Sequence, residues 1–163
     1  MKRTIRMRLS EQSIDDAINQ LQAYKRTLAL RGDLIVKRLA LLGFQAATVR
    51  FQTAAFEPDS HDFELDVQST KTGGWQIIAN GKDVCFIEFG AGVYYNGADG
   101  YPGQRPPGVV GIGEYGKGKG SNEYWFYSPG GYTHGTPANA PMFYTAQEMR
   151  QNIMRIAREV FSS

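Results

Sequence analysis

The side chains that could do chemistry in this chain are few. His61 and His134 are its two histidines, and Asp62 and Glu88 are the acids best placed to join them. Such a set could hold a metal or act as base and acid in hydrolysis. Neither histidine falls in a metal-ligand spacing, and His134 sits among Gly and Thr residues. A small hydrolase or metal-dependent enzyme using His134, His61 and Glu88 is therefore the rival reading rather than the leading one. Cys85 is the single cysteine. It has no basic cluster beside it that would favour a thiolate, so it reads as a small packing residue. Gly111-Ile112-Gly113-Glu114-Tyr115-Gly116 matches the dinucleotide fingerprint, and Lys117 follows as in a phosphate loop. No strand precedes this run and no helix follows it, so neither mechanism has its scaffold. No serine lies in a nucleophile elbow. The sequence offers no catalytic constellation, and no cofactor or metal is expected.

Glu88 needs an explanation of its own. It lies in Asp83–Gly92, reading DVCFIEFGAG, among Val84, Phe86, Ile87 and Phe89. A carboxylate in such a run is costly to bury unless it is paired. It is either an ion-pair anchor to a loop or a second subunit, or an outward-facing residue on the open side of a sheet.

The elements around it follow from periodicity. Thr4–Leu9 alternates apolar and basic residues, which predicts a short strand. Ser10 or Ser13 can cap the helix that follows. Ile14, Ile18, Leu21, Leu28, Ile35, Leu39 and Leu42 then fall on one ladder of alternating four- and three-residue steps. Lys25 and Gly32 break two rungs. The ladder predicts an amphipathic helix of about 30 residues, with Gly32 at a kink or close crossing and Gly43 as its stop. A ladder of this kind can form a coiled coil, but the two breaks favour a helix laid across a sheet. Ala46–Phe56 fits a helix tail or a strand. Phe63, Leu65 and Val67 alternate with acids, and Trp75–Ala79 returns after Thr72-Gly73-Gly74. Asn80-Gly81 signals a second hairpin, which makes Asp83–Gly90 the third strand of an antiparallel meander. Met142–Phe161 is the last helix, with Met142, Ala146, Met149, Ile153, Ile156 and Val160 on one face and Arg150, Arg155 and Arg158 on the other. Asn139 or Ala140 stands at its cap.

The fold class expected is α+β. A long N-terminal helix and a C-terminal helix pack on a small antiparallel sheet, in one domain over residues 1–163, with a loop at 91–137 inserted before the last helix. That loop region is distinct in composition. Fourteen of 19 glycines and seven of nine tyrosines lie between Gly90 and Pro137. Tyrosine gives large contact area at small entropy cost, and glycine lets the backbone adapt. Candidate contact residues are Glu88, Phe89, Tyr94, Tyr95, Tyr101, Tyr115, Lys117, Lys119 and Trp125. Asn96–Gly120 is too poor in apolar residues to order itself, so it is expected to move freely until a partner covers it. Only Tyr124–Tyr127 within the loop looks like a strand.

Charge is divided along the chain. Residues 1–50 carry ten Lys/Arg against four Asp/Glu, and residues 51–100 carry two against eight. The two segments could pair within the fold or between copies, or form separate solvated faces. A net charge of +2 gives no case for nucleic acid. No apolar run approaches a membrane span, and the basic start lacks the apolar core of a secretory signal.

Three stretches carry a resemblance. They are Phe86–Gly92, then Gly116–Gly120 before Trp125-Phe126-Tyr127, then His134–Met142 leading into the last helix. In this order they resemble the bacteriophage tail-component family, whose members serve as neck, tail-completion or head–tail joining proteins. The likeness covers nearly the whole chain, and the Asn139-Ala140-Pro141 wording departs from the family's Pro-Phe-rich form. The resemblance implies an α+β structural virion protein that forms a ring at the head–tail junction or tail end. It implies contacts with itself and with neighbouring connector and tail proteins. It implies a place in the virion, at the phage neck or tail, synthesis in the bacterial host cytoplasm, and no enzyme activity, membrane or sequence-specific nucleic acid.

Overall fold

The computed structural model describes residues 4–5, 8, 10–54, 62–90, 101–103, 125–127, 131–133 and 137–162. The architecture is α+β. Helix α1 spans Glu11–Gln52, strands β1 and β2 span Glu64–Ser69 and Trp75–Asn80, and helix α2 spans Val84–Phe89. Strands β3 (Trp125–Tyr127) and β4 (Gly131–Thr133) precede helix α3, Pro141–Ser162.

Helix α1 starts where Ser10 accepts a hydrogen bond from the Ser13 amide at 3.4 Å. Of the predicted strand Thr4–Leu9, the described residues Thr4, Ile5 and Arg8 belong to no strand. The helix runs 42 residues, about 63 Å. It passes through Gly43 and takes in Ala46–Phe51, settling that ambiguous stretch as helix tail. Gly43 is not a stop but a crossing point. A Cβ there would strike Met149 Sδ of α3 and Ile77 Cδ1 of β2. Gly32, by contrast, has nothing within 4 Å and interrupts no turn of helix.

Helix α3 lies antiparallel along the second half of α1. Arg31 stacks on the Phe161 ring at 5.4 Å, Arg38 faces Glu159 at 3.9 Å and Arg50 pairs with Glu148 at 2.8 Å. Ala40, Gly43, Ala47 and Phe51 are buried on α1, and Thr145, Ile156 and Val160 on α3. Ile153, expected on the inner face of α3, is exposed. The hairpin covers the end of α1, where Phe51 and Phe63 rings meet at 5.1 Å. Burying a side chain of this size stabilises by about 1.5–3 kcal/mol.

The first half of α1 has far less cover, with Ala17 its one buried residue. Ile14, Ile18, Leu21 and Leu28 are 39%, 46%, 55% and 39% exposed. The expectation that the whole Ile14–Leu42 face packs on the sheet is corrected: α3 ends opposite Arg31, so residues 11–30 project about 30 Å beyond that contact.

The hairpin has the expected form. Glu64 pairs with Asn80 and Ser69 with Trp75 in antiparallel register. Gly73 takes φ 83° in the connecting turn. The third strand does not exist. Val84–Phe89 is a helix, and Gly81 (φ 140°) turns the chain into it rather than into a second hairpin. A side chain on Gly81 would strike the backbone of Asp62 and Phe63. Asp83 holds this bend, its Oδ2 accepting from the Asp62 amide at 2.7 Å. Within the loop region, Trp125–Tyr127 is the strand expected, and Gly131–Thr133 pairs with it antiparallel.

Candidate functional site

Helix α3 begins without a capping side chain of its own. Ala140 precedes Pro141 and takes φ 49°, a left-handed conformation that costs a non-glycine residue about 1–2 kcal/mol. Its methyl offers no acceptor to the orphan N–H groups of the first turn. Glu88 supplies that acceptor from 54 residues away. Its Oε2 accepts from the Met142 amide at 2.8 Å and its Oε1 from the Phe143 amide at 3.1 Å.

Helix α2 is shaped to deliver this group. The Ile87 carbonyl accepts from the Asn139 amide at 2.9 Å and the Glu88 carbonyl from the Ala140 amide at 3.1 Å. These bonds dock residues 139–140 along the end of α2. Gly90 then leaves at φ 71°. Ile87, Glu88 and Phe89 are all buried. A negative group at a helix N-terminus meets the positive end of the dipole as well as the two donors.

Tyr101 completes the arrangement. Its hydroxyl donates to Glu88 Oε1 at 3.3 Å, and its ring packs on Phe89 at 4.9 Å and Phe143 at 5.9 Å. Gly103 lies flat against the Phe143 ring, where a Cβ would come within 2.8 Å. A segment of the Gly/Tyr-rich region is thus fixed to the α2–α3 junction. Burial pushes the Glu88 carboxyl above the ordinary carboxylate range, while the Met142 and Phe143 amides and the Tyr101 hydroxyl pull it back down.

The outward-facing reading of Glu88 is therefore corrected. It is buried rather than outward-facing, and among the described residues it forms no ion pair. Its anchoring is by hydrogen bonds. Of the candidate contact residues, the structure brings together Glu88, Phe89 and Tyr101. Trp125 starts β3. Tyr94, Tyr95, Tyr115, Lys117 and Lys119 lie outside the described residues, as do Asn96–Gly100 and 104–120 of the segment expected to move freely. His61 and His134 also lie outside them. Cys85 is exposed on α2. Among the described residues no group of three His, Cys, Asp or Glu side chains could hold a metal. No helix among them is long and apolar enough to cross a membrane.

Sequence reasoning missed Ala140, Met142 and Phe143 as the partners of Glu88. The signal was present in two halves: a helix start at Pro141 with Ala140, which has no acceptor side chain, immediately before it, and a lone acid in an apolar run.

The second feature able to act on another molecule is the projecting half of α1. Its exposed residues Ile14, Ile18, Leu21 and Leu28 lie on one helix face, with Lys25 between the last two. Compared with protein-family models, curated proteins and solved structures, the chain matches none of them.

Proposed function

We propose that this chain is a structural virion protein of a tailed bacteriophage, acting at the head–tail junction or tail end and assembling into a ring. One observation carries the assembly part of the reading. A helical arm of about five turns exposes four large aliphatic side chains on one face. A solvated helix gains little from packing and is marginal alone, so such a face is stabilised by another chain. The neck setting comes from the resemblance of Phe86–Gly92, Gly116–Gly120 and His134–Met142 to the tail-component family. Within that setting Glu88 and Tyr101 are joints: they hold the start of α3 and the Gly/Tyr-rich region to one body while its remaining aromatic residues meet connector or tail proteins. Glu88 accepts from α3 and from Tyr101, which supports an anchoring role for it over one in a hydrolytic set with His61 and His134.

The reading is tested by deleting the gene from the phage or prophage that carries it and imaging the lysate by negative-stain microscopy. Filled heads and separate tails are expected, with joining restored by the supplied protein. Intact virions at the normal yield would overturn it.

A further inference from the structure

The stripe on the arm is flanked by charge in a definite order. Taking 100° per residue along the helix, Glu11 and Asp15 fall on one flank of the Ile14–Ile18–Leu21–Leu28 line. Lys25 lies on the line itself and Arg26 beside it on that same flank. The acids occupy the free end of the arm and the bases the end nearer the body. All four side chains belong to exposed residues. Two such arms laid parallel would set this flank against the opposite one, where Ser13, Ala17 and Gln20 offer the acids no base. Laid antiparallel, with like flanks together, each acid faces a base.

Register follows from the same positions. In an antiparallel pair the alternating rungs of one helix meet those of the other in layers. Placing Ile18 of one copy opposite Leu21 of the other also places Ile14 opposite Lys25 and Glu11 opposite Leu28. The Lys25 ammonium then extends past Ile14 to Asp15 and Glu11, and Arg26 lies beside Asp15. The rung that breaks the apolar ladder is thus the rung that meets the acidic end. A second feature falls at the same place. Ser10, Glu11, Ile14 and Asp15 line an open hollow at the start of the arm. In this register the hollow receives Leu28 and Lys25 of the other copy.

We propose that residues 11–30 of α1 pair antiparallel with the same segment of a second copy of this chain, with the dyad between Ile18 and Leu21. The contact is isologous and closes at two copies. A ring built from such pairs uses a further, different contact for its growth. The pairing concerns the arm alone and stands or falls separately from the neck assignment.

The test uses the full chain carrying Cys85→Ser. Chains with Ile18→Cys and chains with Leu21→Cys are mixed under mild oxidation, and the products are separated by mass. Mixed disulfides in excess of either homodimer are expected. An excess of Ile18→Cys homodimer would indicate parallel arms and overturn the proposal. Sedimentation of the wild-type chain gives the second readout, with a concentration-dependent dimer expected. Paired reversal, Glu11→Lys with Asp15→Lys, should weaken that dimer about tenfold or more. Adding Lys25→Glu and Arg26→Glu should restore it, which a structural defect would not do. A monomer at every concentration, or a dimer indifferent to Leu21→Asp, would overturn the proposal and leave the arm to a different protein.

Discussion

Removing Glu88 should unfasten the start of α3. Glu88→Ala leaves the Met142 and Phe143 amides, which donate to Glu88 at 2.8 and 3.1 Å, without their acceptors at a part-buried site. A hydrogen bond to a charged group contributes about 1.5–3 kcal/mol, and an N-cap about 0.5–2 kcal/mol. These overlap, and the wild type already loses part of the gain to desolvation of the carboxylate, so the expected cost is about 2–4 kcal/mol. Glu88→Gln keeps the shape and one acceptor but turns an amide NH2 toward a backbone donor. It also escapes the cost of burying charge. Its expected loss is smaller, about 1 kcal/mol. Tyr101→Phe removes only the 3.3 Å hydroxyl contact and should cost about 0.5–1 kcal/mol. Urea unfolding followed by circular dichroism reads all three as midpoint shifts at constant slope. A loss below about 0.5 kcal/mol for Glu88→Ala would refute the capping role. Equal losses for Gln and Ala would show that charge, not acceptor geometry, holds the junction.

Three further outcomes are expected. Gly32→Ala should stabilise by about 0.5–1 kcal/mol, since nothing lies within 4 Å, whereas Gly43→Ala should destabilise by about 1–3 kcal/mol because Met149 and Ile77 must move; thermal melts of the two variants decide this. Leu21→Ala should change the stability of the dilute monomer by less than about 0.5 kcal/mol and Phe51→Ala should cost about 3–5 kcal/mol, which denaturant titration separates. The Glu88 carboxyl is held above its unfolded value, so the part of its stabilisation that comes from holding a proton is full below about pH 4.3 and is lost as pH rises through the folded value. Unfolding measured against pH should therefore show wild type falling relative to Glu88→Gln across that window, and parallel curves would contradict it.

Much of this fold is legible in the residues. The ladder from Ile14 to Leu42 marks α1, the acid–apolar alternation at Glu64–Val67 marks β1, and Pro141 marks the start of α3. What the ladder does not carry is which half of it is covered. Its two halves have the same period, and cover depends on where α3 ends, opposite Arg31. The run Val84–Phe89 misleads for a different reason. A short apolar segment has no period that separates a buried strand from a buried helix turn. Helix is chosen here by partners distant in sequence: the Asp62 amide bonded to Asp83, and the amides of Asn139 and Ala140 on the carbonyls of Ile87 and Glu88. The same distance hides the role of Glu88. Local rules seek a cap within a few residues of a helix start, and this one arrives from another element. Gly43 reads as a stop because glycine often ends helices. Only packing against Met149 and Ile77 reveals it as a crossing.

The central claim is that the first half of α1 is an assembly surface, and hydrogen exchange tests it most directly. Amides of residues 11–30 and of 40–52 are followed as the chain is taken from dilute solution to concentrations at which it associates. In the dilute chain the arm should exchange quickly, because little packs on it, while the segment against α3 exchanges slowly. Association should slow exchange in residues 11–30 and leave 40–52 unchanged. An assembled chain whose arm exchanges as fast as in the dilute monomer would contradict the account.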